Sequence, residues 1–308
     1  MLAEPMPGCV QVLERGWLSS NNVLIADAAG AALVDSGYGS HAPQTISLVE
    51  RALAGRRLDL LANTHCHSDH MGGNAALLRA HHCELALPAG EAVLLEAWDE
   101  RALMLGFADQ RAERFAWDRT LAAGDTLRLG PMDWQVLAAP GHDTHALMFW
   151  SPDERILISG DALWENGFGV VFGQIFGRDT ALAETRATLD AIAALRPRVV
   201  IPGHGAAFDG VDAALARAYS RVDSFEADIL RLVRHALKVM LVFALLDRRT
   251  MALAALPAYL DRVEVYGDLN RRYLGLSTEA LAQWLVSELE KSRALRVEDG
   301  MLVPALAA

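Results

Sequence analysis

The chain has 308 residues, 52% of them hydrophobic and 22% charged, a balance that excludes general disorder and suits two packed domains or one domain with an addition. With 28 basic against 39 acidic residues the net charge is −11, which disfavours a broad nucleic-acid footprint. The cysteines, Cys9, Cys66 and Cys83, form no CxxC pair and no even framework, as expected in a reducing compartment.

In chain order, the N-terminus shows no basic start or long apolar run, so no secretory signal is expected. Short apolar runs at 10–13, 22–26 and 31–34, bounded by Gly, Asn and Asp, predict consecutive strands. Helical spacing covers 44–53, and 58–62 reads as a buried strand. Helices are expected at about 74–80 and 91–105. A second, similar half starts near Leu121, with strands at 126–129, 134–138, 146–150 and 155–159, an amphipathic helix at 181–195 and a last strand at 198–201. Two sheets face to face, with helices on both outer faces, accommodate that order. From about Val211 the pattern turns helical. Its most apolar stretch, 229–246, carries Arg231, Arg234, His235 and Lys238 and reads as a packed helix, not a membrane span. A helix at 279–291 and a hairpin turned at Asp299-Gly300 close the chain, a loosely winged-helix-like ending. Units of 1–210 and 211–308, in a cytoplasmic protein without membrane contact, are the expectation.

Chemistry concentrates in His65-Cys66-His67-Ser68-Asp69-His70, directly after a buried strand. In an extended segment residues i and i+2 share a side, so His65 and His67 converge on one point, Asp69 continues that side, and His70 falls at the turn into a helix near Gly72-Gly73. Imidazoles and a carboxylate packed beside an apolar strand are costly without a cation. A polar surface turn rich in histidine is the plainer alternative, and three downstream residues weigh against it. His142 in Pro140-Gly141-His142, Asp161 in Ser159-Gly160-Asp161 and His204 in Pro202-Gly203-His204-Gly205 each follow a predicted strand beside glycine. Cys66 should point to the opposite face and pack. The trio His81, His82 and Cys83 follows a helix end, where cationic side chains favour the carbonyls, and His145 reads as a strand-start residue.

These motifs, His-x-His-x-Asp-His, Gly-His, Gly-Asp and Gly-His-Gly in order across roughly 8–206, resemble the metallo-β-lactamase-fold hydrolases. The resemblance implies an α/β fold, a four-layer αβ/βα sandwich with metals at one edge between the sheets, followed here by a helical C-terminal unit. It implies a first metal on His65, His67 and His142, a second on Asp69, His70 and His204, and Asp161 bridging both, with Asp69 and Asp161 as the catalytic carboxylates. Asp35, in Leu33-Val34-Asp35-Ser36-Gly37, matches a family acid that orients the ligand loop.

Two divalent ions are implied, zinc favoured, with iron or manganese also suited to nitrogen and oxygen donors. His70 and Asp161 together favour the glyoxalase II-like and lactonase-like branches over antibiotic hydrolysis. The expected activity is hydrolysis of a small ester, thioester or lactone by metal-activated hydroxide. Phosphodiester hydrolysis on the same site is the alternative. An iron-dependent persulfide-type oxygenase is disfavoured by the full ligand set, and a regulator binding nucleic acid through 211–308 is disfavoured by the charge. Trp164, Phe168 and Phe172, among glycines after Asp161, offer an apolar substrate wall or simply pack the C-terminal helices. A small-molecule substrate is expected, and a homo-oligomer is compatible with the sequence.

Overall fold

The computed structural model describes residues 2–28 and 30–306. Strands β1 (Val10–Leu13), β2 (Asn22–Ala26) and β3 (Ala31–Val34) form an antiparallel meander. Helix α1 (Ala42–Leu53) leads to β4 (Leu60–Ala62), which pairs parallel to β3. A four-residue helix α2 (Ser68–Met71), then α3 (Asn74–His81), β5 (Glu84–Pro88), α4 (Ala89–Ala97) and β6 (Arg119–Leu121) complete a six-stranded sheet in sequential order.

The second sheet holds β7 (Thr126–Leu129), β8 (Met132–Ala138), β9 (Leu147–Ser151) and β10 (Ile156–Gly160). After α5 (Phe172–Ile175) and α6 (Ala181–Leu195), β11 (Val199–Pro202) joins parallel to β10, in the order β11-β10-β9-β8-β7.

Side-chain alternation explains the layers. Leu60 and Ala62 of β4 share an inter-sheet core with Ile156 and Ile158 of β10, while Leu61 packs outward with Val49 and Leu53 of α1. On the other side Leu157 packs outward with Leu189 and Ile192 of α6. Both faces of each central strand are therefore covered, which is why these strands read as continuous apolar runs. The result is the expected four-layer sandwich.

Helices α7 (Val211–Ala227) and α8 (Ile229–Arg248) follow, the latter capped by Asp228, which accepts from Leu230 N at 3.0 Å. Then come β12 (Met251–Ala252), α9 (Leu256–Arg262), α10 (Glu264–Leu269), α11 (Thr278–Lys291) and the hairpin β13 (Leu295–Glu298) and β14 (Met301–Pro304). Asp299 and Gly300 both take positive φ, 49° and 75°, as a two-residue hairpin turn requires. The three strands pair β12-β14-β13, so helix, strand, helices and hairpin follow one another in a winged-helix-like order. One apolar cluster runs from α6 through α7 and α8 to Leu302. Among the described residues no helix is long and apolar enough to cross a membrane.

Four of these elements differ from expectation. The helix expected over 91–105 stops at Ala97, because Asp99 turns its carboxylate onto the N–H groups of Arg101 and Ala102, at 3.1 and 3.0 Å. Strands β5 and β6 were not anticipated; β5 ends on a proline and β6 spans three residues. His70 sits inside α2, one turn earlier than the helix expected at Gly72-Gly73.

Candidate metal centre

Each polar residue of the centre follows the carboxyl end of a strand, so the two sheets deliver them to one edge. Asp35 follows β3, His65 to His70 follow β4, His142 follows β8, Asp161 follows β10 and His204 follows β11. Glycine makes the convergence sterically feasible at Gly203, where a Cβ would collide with the Asp161 carboxylate, and at Gly169, where it would strike the His142 ring.

Two groups of donor atoms result, each with its atoms within 4.8 Å of one another: His65, His67 and His142, and Asp69, His70, Asp161 and His204. In the first, His67 Nδ1 lies 2.8 Å from His142 Nε2, and the His65 ring centre is 4.8 Å and 5.1 Å from those of His67 and His142. In the second, His204 Nε2 is 3.0 Å from Asp69 Oδ2, and His70 Nε2 is 3.4 Å from Asp161 Oδ1. The other oxygen of Asp161, Oδ2, lies 3.5 Å from His142 Nε2. One carboxylate thus faces both groups.

Their electrostatics fit cations. Burial, then the other histidines, holds His65 well below the ordinary histidine range, and burial followed by His142 lowers His67 to about 4. Both are therefore neutral at physiological pH, with a lone pair to give. Burial alone would raise the Asp161 pKa, but His70 and His204 outweigh it and hold the carboxylate well below its usual range. The buried inner nitrogens His65 Nε2 and His70 Nε2 have no hydrogen-bond partner. Orphaned imidazole nitrogens beside two ionised carboxylates are costly without a cation, and this donor set suits a divalent metal.

The outer nitrogens of His70, His142 and His65 are held by the fold. Asp35, at φ 60°, accepts from Thr64 N and Thr64 Oγ1 at 2.8 Å each and meets His70 Nδ1 at 2.8 Å. Its carboxylate joins neither donor group. His142 Nδ1 donates to the Val170 carbonyl at 2.6 Å, and His65 Nδ1 lies 3.1 Å from Thr64 Oγ1. Cys66 packs among Met71, Leu87 and Leu95, away from the ring cluster. Neither the His81-His82-Cys83 trio nor His145 joins a donor group; the His145 ring rests against Gly90.

A cleft of about 420 Å³ opens beside the first group, lined by His67, His142, Asp143, Phe107, Phe172 and Arg272, among others. The three aromatic residues expected at the substrate wall divide. Phe172 lines the cleft with its ring 6.3 Å from that of His67. Trp164 stands at the opposite edge, its indole N–H donating to Asp161 Oδ1 at 3.1 Å and its ring 5.3 Å from His204. Phe168 follows the other reading: only 2% exposed, it packs on Phe225 of α7 and is not among the residues that line this cleft.

Sequence reasoning missed Trp17, 42% exposed and stacked on His204 at 5.6 Å, and also Asp143 and Arg272. Asp143, next to His142, carried a positional signal. Trp17 and Arg272 lie far along the chain from their partners and carried none.

A sequence profile of the Metallo-beta-lactamase superfamily matches residues 15–204, more than half of the chain. A hydroxyacylglutathione hydrolase of Methylococcus capsulatus is 33% identical over 168 residues, 53% of this chain and 56% of its own. Another, of Hyphomonas neptunium, is 34% identical over 110 residues, 36% of each chain. The chain thus spans from about a third to just over half of the length of these relatives. A solved metallo-beta-lactamase family protein of Thermus thermophilus, 20% identical, aligns over 97% of this chain and 100% of its own with a TM-score of 0.58, a likeness of fold. A protein crystallised in a di-iron-bound form is 25% identical and aligns over 68% of this chain and 98% of its own, with a TM-score of 0.54.

Proposed function

The chain belongs to the metallo-beta-lactamase superfamily, and on that premise we propose that it is a metal-dependent hydrolase of a small thioester, ester or lactone, with the thioester favoured. The observation that carries the proposal is the Asp161 carboxylate, with Oδ1 3.4 Å from His70 Nε2 and Oδ2 3.5 Å from His142 Nε2. A single group facing two sets of neutral or charge-paired donors is what a pair of cations needs between them. His65, His67 and His142 would hold the first ion, Asp69, His70 and His204 the second, and Asp161 both. When bound, such a pair of divalent ions activates water at neutral pH and polarises the scissile acyl oxygen.

The chain's own groups complete the site. Asp35 orients His70, and Val170 O orients His142, so that their inner nitrogens are free to ligate. Asp69 Oδ2 faces His204 and His70, and we assign the other oxygen of that carboxylate to accept the proton released as water attacks. Phe107, Phe172 and Phe176 give the cleft an apolar wall suited to an acyl group. The thioester is favoured because the relatives that match over the site are named hydroxyacylglutathione hydrolases. We assign the donors to residues 1–210 and a wall-forming role to 211–308, which contributes Arg272 to the cleft. Zinc is the proposed ion.

Assaying the protein as purified against acyl thioesters, lactones and bis(p-nitrophenyl) phosphate tests this reading. Thioester turnover should dominate, vanish on chelation and return with zinc. Faster cleavage of the phosphodiester would contradict it.

A further inference from the structure

The phenylalanine cleft opens beside the first donor group; two tryptophans meet beside the second. Trp17, in the loop between β1 and β2, is 42% exposed and stacks one face on the His204 ring, at 5.6 Å with 10° between the planes. Trp164, three residues past Asp161, stands at an angle to it, with ring centres 5.6 Å apart and 66° between the planes, and lies 5.3 Å from His204. Neither lines the cleft of Phe107, Phe172 and Phe176. With one face of Trp17 on His204, its exposed surface is the other face and the rim, and the second indole makes a corner with it.

Both walls of the corner are fixed. Ser20 N–H donates to Asp69 O at 3.0 Å and Asn21 N–H to Gly203 O at 2.7 Å, while Asn21 Nδ2 donates to the carbonyls of Pro202 and Gly205 at 2.9 and 2.7 Å. The loop that carries Trp17 is thereby tied to the segments that present Asp69 and His204, with Leu18 wholly buried beneath it. Trp164 opens a tight turn closed by its own N–H on Gly167 O at 2.7 Å, and Arg217 holds the Glu165 carbonyl at 2.9 and 2.6 Å. Its indole N–H rests on Asp161 Oδ1 at 3.1 Å. A single exposed aromatic side chain is ordinary on a protein surface. Two held rigidly at an angle suit a third ring, which can lie offset on one and meet the edge of the other, and a surface set in advance loses little entropy on binding.

We propose that Trp17 and Trp164 bind a planar aromatic group on the leaving side of the substrate, which makes an arylmethyl thioester or ester the favoured class. The acyl arm lies along the phenylalanine wall beside His67 and His142, the scissile bond faces Asp161, and the other arm reaches past His204 to the tryptophans. Water gives its oxygen to the acyl carbon, the carbon–sulfur bond breaks, and the aromatic thiol leaves on the tryptophan side with one of the water's protons. The inference rests on the hydrolase reading and extends it to the substrate's second arm.

S-benzyl and S-cyclohexylmethyl thioacetate test it, since their leaving groups are alike in size and connectivity but one is flat and the other puckered. The ratio of their kcat/KM values is measured on the zinc-loaded full chain, together with the ratio of affinities for the two product thiols by titration calorimetry. Both ratios should fall by about 3–10-fold in Trp17→Ala and stay within about twofold of wild type in Trp17→Phe, which keeps an aromatic face, and in Phe172→Ala, which alters the acyl side. Unchanged ratios in Trp17→Ala, an equal fall in Trp17→Phe or Phe172→Ala, or loss of bound zinc in Trp17→Ala would each overturn the proposal. Should wild type cleave neither thioester, the hydrolase reading fails, and the thiol affinities still decide whether the corner selects a flat ring.

Discussion

Around His70 three carboxylates crowd one imidazole: Asp35 Oδ2 at 2.8 Å, Asp161 Oδ1 at 3.4 Å and Asp69 Oδ2 at 3.7 Å. Burial by itself would keep His70 neutral, yet Asp35, Asp161 and Asp69 together raise it well above the ordinary histidine range. A cation placed there would replace that proton as the counter-charge. Asp35→Asn should therefore lower metal affinity by about 10–100-fold while the protein stays folded, as measured by metal titration and circular dichroism. Gly203→Ala would drive a methyl group into the Asp161 carboxylate. We expect it to cost about 1–3 kcal/mol in stability and most of the metal binding, checked by urea unfolding and elemental analysis. The donors were legible in the sequence because four crowd into His65–His70 just after a strand and the other three each sit beside glycine at a strand end, purely local patterns. Trp17 and Arg272 were not, because each meets the site from a distant segment and in an ordinary sequence context.

At the scale of elements, the segment between Asp161 and α6 performs two tasks with similar residues. Phe168 belongs to the core and Phe172 to the cleft. Phe168→Ala should lower stability by about 3–5 kcal/mol in urea unfolding. Phe172→Ala should change KM for an acyl substrate with little loss of stability. Sequence spacing could not separate them, since both are aromatic and flanked by glycine. Periodicity likewise overextended the helix at 91–105: Leu95 of α4, Leu103 and Leu105 do share one apolar cluster, but turns rather than helix bring the last two there. In α8, burial, followed by Arg221 and Lys238, lowers His235 to about 4, below the roughly 6.5 of an unfolded chain. The native state favours the neutral ring, so its contribution is fully present above about pH 6.5 and is lost as pH falls toward 4. The stability advantage of wild type over His235→Gln should shrink by about 1–2 kcal/mol between pH 7 and pH 4.5, measured by denaturant unfolding of chelated protein.

Across the whole molecule, the two sheets and their helix layers were readable from the order of short apolar runs and helical spacing. The packing of the C-terminal helices was not, because an amphipathic helix does not say which surface it will cover. The structure gives the answer in one apolar cluster that includes Leu157 of β10, Leu189 of α6, Leu215 of α7 and Leu237 of α8. Deleting residues 211–308 would expose that cluster, so the truncated chain should aggregate or unfold cooperatively at a lower temperature than the full chain, as seen by calorimetry and light scattering. The full chain is the unit on which the metal centre has to be judged. Elemental analysis of the purified full-length protein tests that centre most directly. Two divalent ions per chain, falling in the Asp161→Ala variant, is the predicted result; a wild-type ratio of one or none would contradict it.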